Sequence, residues 1–103
     1  MAANFLDIEK LVQEDIENLK IAEKSYGDSW RSRGGVGAFM MLARKWDRIE
    51  NQVSKDGYDV FKTIAKDLSD TGILDDIRDL RRYLLLVEAY ANPSGKYLGK
   101  KKS

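Results

Sequence analysis

The stretch Tyr26-Gly27-Asp28-Ser29-Trp30-Arg31-Ser32-Arg33-Gly34-Gly35-Val36-Gly37-Ala38-Phe39-Met40-Met41-Leu42-Ala43-Arg44-Lys45-Trp46-Asp47-Arg48-Ile49-Glu50 decides how the chain is read. Its first third is too rich in glycine and serine to hold regular structure. From Gly35 onward Val36, Phe39, Met40, Ala43 and Trp46 recur every three or four residues, with Ile49 and Val53 beside them. That spacing predicts a helix from about Gly35 to Gln52. Asp47 and Glu50 extend the same stripe, which places two carboxylates on the side expected to face inward.

Helical periodicity continues on both sides. Phe5, Ile8, Val12, Ile16 and Leu19 predict a helix over 5–25, started by Asn4 and ended by Gly27. Glu14, Asp15 and Glu17 are expected off that stripe, on a solvated face. Val60, Phe61, Ile64, Ala65 and Leu68 predict a short third helix. Ile73, Ile77, Leu80, Leu84 and Val87 predict a fourth, capped by Asp70 or Thr71 and stopped by Asn92-Pro93. No alternating strand pattern or internal repeat appears. The expected architecture is all-α, a compact bundle of three long helices plus one short helix, occupying 1–93 as a single domain. Residues 94–103 are expected to form a flexible, lysine-rich tail. A chain of 103 residues has little core to spare, so homo-oligomerisation is expected as a source of further burial.

Composition narrows the chemistry by exclusion. The chain has no cysteine, hence no disulfide, thiolate or zinc–thiolate site, and no histidine, hence no imidazole base or ligand. Carboxylates, arginines, lysines, tyrosines and an oxygen-bound cation remain. The net charge is +1, but Lys96, Lys100, Lys101 and Lys102 all lie in the last ten residues. Without them 14 basic residues face 17 acidic ones, a net of −3, so the body is not a surface for long nucleic acid. No secretory leader is expected, no membrane-length apolar run appears in the sequence, and the expected location is the cytoplasm.

Two constellations remain. Gly34, Gly35 and Gly37 sit where a helix begins, next to Arg31 and Arg33. Helix starts present free amides and a positive dipole end, and arginine grips phosphate with two prongs. Tyr26 and Trp30 can stack on a base. These seven residues are the expected ligand-binding set, and a loop that turns on its glycines is the plain alternative. The second constellation is Asp47 and Glu50 with Asp76 and Asp79, two acidic pairs at a spacing of three. If their helices pack together, the four could hold Mg2+, which favours oxygen ligands and phosphate. The same acids could equally pair with Arg44, Arg48 and Arg82 as ordinary helix-surface salt bridges.

Tyr-Gly-Asp-Ser-Trp (26–30), Arg-Gly-Gly-Val-Gly-Ala-Phe (33–39), Trp-Asp-Arg-Ile-Glu-Asn (46–51) and Asp-Ile-Arg-Asp-Leu-Arg-Arg-Tyr (76–83) resemble the nucleotide modification associated domain 1 family, small helical proteins frequent in phage and bacterial genomes. More distantly, the two acidic pairs are similar to those of all-α nucleoside triphosphate pyrophosphohydrolases, which use Glu-x-x-Glu and Glu-x-x-Asp to hold magnesium. This chain has Asp at 47 and 76 where that pattern has Glu. Together these resemblances imply a small phosphorylated nucleotide as partner. It would be either held in a homo-oligomer, as by phage proteins that sequester bacterial immune nucleotide signals in the host cytoplasm, or hydrolysed with Mg2+. A helical scaffold without a small ligand is the third expectation.

Overall fold

The computed structural model describes residues 3–69 and 71–93. Four α-helices follow in order: α1 (Phe5–Tyr26), α2 (Gly34–Ser54), α3 (Val60–Lys66) and α4 (Ile73–Ala91). A single 3₁₀ turn, Ser29–Arg31, lies between α1 and α2, and there is no strand among the described residues. The all-α, four-helix expectation therefore holds. The proposed tail, 94–103, lies outside the described residues.

The helix ends follow local chemistry. Asn4 Oδ1 accepts the amides of Leu6 and Asp7 at the start of α1. Gly27 ends α1 with φ +57°, a region that costs a side chain about 1–2 kcal/mol and glycine nothing. Asp59 caps α3 through the Lys62 amide. At α4 the expected cap is not formed by Thr71. Gly72 holds the cap position without a side-chain bond, and Asp70 lies outside the described residues.

α2 and α4 pack along each other and form the centre, with α3 closing one end. Ile49 and Val53 of α2 and Ile73 of α4 are buried, and Val60, Ile64, Ile77 and Leu80 pack around them. Each such side chain contributes about 1.5–3 kcal/mol, so this core is small for the chain it serves. α1 makes few close backbone approaches to the rest. Its deepest residue is not apolar: Asp15 is completely buried.

Two expectations about faces are corrected. At 100° per residue, Asp15 falls between Leu11 and Leu19 on α1 and thus within the apolar arc, not off it. On α2 the stripe expected to point inward is the outer one. Val36 is 78 % exposed, Phe39 63 %, Met40 51 % and Trp46 55 %. The inner face is instead Met41, Lys45, Arg48, Ile49, Gln52 and Val53. It contains two cations because α4 offers it two carboxylates.

Candidate functional site

Three polar clusters tie the helices together. The first docks α1. Asp15 Oδ2 accepts from Arg81 Nε at 2.6 Å, while its Oδ1 accepts from Arg81 Nη2 and Arg82 Nε, both at 2.7 Å. Those charge-assisted bonds, Arg81 foremost, outweigh burial and hold the Asp15 carboxyl below its ordinary value. The second cluster joins α2 to α4. Asp76 Oδ1 accepts from Arg48 Nε at 2.7 Å, its Oδ2 accepts from Gln52 Nε2 at 2.8 Å, and Lys45 Nζ reaches Asp79 Oδ2 at 2.9 Å. Asp76 also sits in the first turn of α4, where the helix dipole favours a negative charge. The third cluster fixes α3: Asp56 accepts from Thr63 Oγ1 and Lys66 Nζ, and its carboxyl is likewise held low, chiefly by Lys66.

This pairing decides the fate of the four acids. Asp76 and Asp79 do face α2, but α2 meets them with Lys45, Arg48 and Gln52. Asp47 and Glu50 lie on the opposite side of α2, exposed. The expected convergence is therefore not formed, and no group of three or more acidic side chains able to hold a metal occurs among the described residues. Asp47, Glu50, Asp76 and Asp79 do not fit a magnesium site. Sequence spacing placed each pair correctly on one helix face, but it could not say which face of α2 meets α4.

The loop set divides as well. A cavity of about 430 Å³ opens between α1, the 3₁₀ turn, α2 and α4. Tyr26 and Trp30 line it, together with Leu19, Met41, Tyr83 and Leu86. Arg31, Arg33, Gly34, Gly35 and Gly37 do not. Arg31 pairs with Asp28 at 2.8 Å, and its guanidinium lies 4.5 Å from the ring centre of Tyr90. Trp30 meets the same ring edge-on, with centroids 6.1 Å apart. Arg33 is exposed at the start of α2. Two of the glycines have conformational reasons to be there. Gly34 takes φ +74°, and a Cβ on Gly37 would come within 2.6 Å of the Arg33 Cβ.

The cavity wall also carries charge. Lys20, Arg82, Glu23, Asp28 and Asp79 all border it. Asp28 is engaged by Arg31, Asp79 by Lys45 and Arg82 by Asp15. What results is an aromatic, largely apolar chamber with a few paired charges at its edge. Its volume lies within the range of small-ligand sites, about 300–1,000 Å³. Sequence reading missed Tyr83, Lys20 and Arg82 as wall residues, and also Tyr90 behind the loop. The signal for Asp15 was present: a carboxylate four residues from both Leu11 and Leu19 must be met by a cation or stay wet. No family model, curated protein or solved structure matches the chain.

Proposed function

We propose that this protein binds a small phosphorylated nucleotide in the cavity beneath α1 and holds it without hydrolysing it. The observation that carries the reading is the cavity itself: aromatic rings of Tyr26, Trp30 and Tyr83 sit around a chamber bordered by Lys20 and Arg82. A base is recognised by stacking on such rings, and a phosphate by a lysine or an arginine beside them. Because Glu23, Asp28 and Asp79 border the same chamber, a ligand with few phosphate charges suits it better than a triphosphate. The arginine-and-glycine loop contributes through its aromatic residues rather than through Arg31 and Arg33. Hydrolysis through Mg2+ is disfavoured, because Asp76 and Asp79 bind α2 cations and Asp47 and Glu50 lie on its far side.

The test is equilibrium dialysis against nucleoside mono-, di- and triphosphates and cyclic dinucleotides, with and without magnesium, followed by denaturation and chromatography of the released ligand. The expected outcome is depletion of a low-charge nucleotide from solution and its recovery intact. Magnesium-dependent products would overturn the reading, and so would an absence of depletion for every nucleotide.

A further inference from the structure

The outer face of α2 is apolar and has no partner within the chain. Val36, Phe39, Met40 and Trp46 form one stripe, each more than half exposed. A monomer rarely shows a contiguous apolar patch beyond a few hundred Å².

The charges beside the stripe suggest what covers it. Arg33 stands at the start of α2, and Asp47 lies near its far end. Both are exposed, and neither enters a salt bridge among the described residues. Two copies of α2 packed antiparallel about a two-fold axis at Met40 bring Arg33 of each opposite Asp47 of the other. A single symmetric contact therefore covers the apolar stripe and pairs both charges twice. We propose that a second copy of this chain occupies this face, giving an antiparallel α2–α2 dimer centred on Met40. It involves surface outside the cavity lining and does not rest on the nucleotide reading.

Sedimentation equilibrium on the full chain tests it. The wild-type protein should sediment at twice its 11.8 kDa mass. Arg33→Glu and Asp47→Arg should each weaken the dimer by about tenfold or more, and the double charge swap should restore it. Far-UV circular dichroism should be unchanged in all three, since both residues are exposed. Because the chain has no cysteine, Met40→Cys should also form a disulfide with its own copy under mild oxidation. A monomeric wild type would overturn the proposal, leaving the stripe to a different partner. A dimer indifferent to both single changes, or not restored by the double swap, would equally overturn it.

Discussion

Asp15 shows how one side chain can substitute for a packed interface. It is fully buried, accepts three bonds from two arginines and joins α1 to α4 across 66 positions of sequence. Removing one member of a buried ion pair strands the other charges, at a cost of about 3–5 kcal/mol. Arg81 is one-third exposed and can rehydrate, so the lower end applies. Asp15→Ala should therefore lower unfolding stability by about 3 kcal/mol in urea denaturation. Acid should act on the same bond. The carboxyl is held below 3.8 in the folded state, so the unfolded chain takes up its proton first as pH falls. The stabilisation is complete well above that value and is lost as pH drops below it. Asp56 adds a loss of the same sign at α3. Tryptophan fluorescence, reporting Trp30 beside α1, should change below about pH 4, and much of that change should vanish in Asp15→Asn. Equal acid responses in the two proteins would assign it elsewhere. By contrast, Glu50→Gln should leave stability within about 0.5 kcal/mol, as for an exposed group that pairs with nothing among the described residues.

Helices were legible in the sequence because a period of 3.6 is a local property. The ends of α1 and α4 and the existence of α3 all follow from apolar spacing, Asn4, Gly27 and Asn92-Pro93. Which side of a helix faces its neighbour is not local. α2 carries one stripe of large apolar residues and another that mixes Ile49 and Val53 with Lys45, Arg48 and Gln52. Hydrophobicity alone selects the first, yet the mixed stripe is the one that meets Asp76 and Asp79 of α4, by charge pairing across 28 positions. The same blindness produced the four-carboxylate expectation. α1 was placed correctly, but its weak attachment was not visible. Its apolar residues remain partly open, with Phe5 71 % and Ile21 64 % exposed. Amide hydrogen exchange should therefore be faster throughout α1 than in the α2–α4 centre, since opening α1 disrupts one ion cluster and few apolar contacts. Protection of α1 equal to that of α2 and α4 would show an attachment stronger than these contacts supply.

At the level of the whole molecule, the small core and the cavity have one origin. α1 approaches α4 at Asp15 and stands off beyond it, leaving the chamber between Leu19, Tyr26, Trp30 and Tyr83. A ligand there would add the packing that the chain itself lacks, so binding should raise the midpoint of thermal unfolding. Trp30→Ala and Tyr83→Ala should each weaken binding by about tenfold or more, the stacking contribution of one ring. Lys20→Ala should weaken phosphorylated ligands more than the bare nucleoside, as dialysis of both would show. The most direct test of the central claim is a two-dimensional NMR titration of the isotope-labelled chain with the nucleotide selected by dialysis. Shifts confined to Lys20, Tyr26, Trp30, Arg82 and Tyr83, and unchanged by magnesium, are the predicted result. Shifts centred instead on Gly34 to Gly37, or magnesium-dependent shifts at Asp47, Glu50, Asp76 and Asp79, would contradict it.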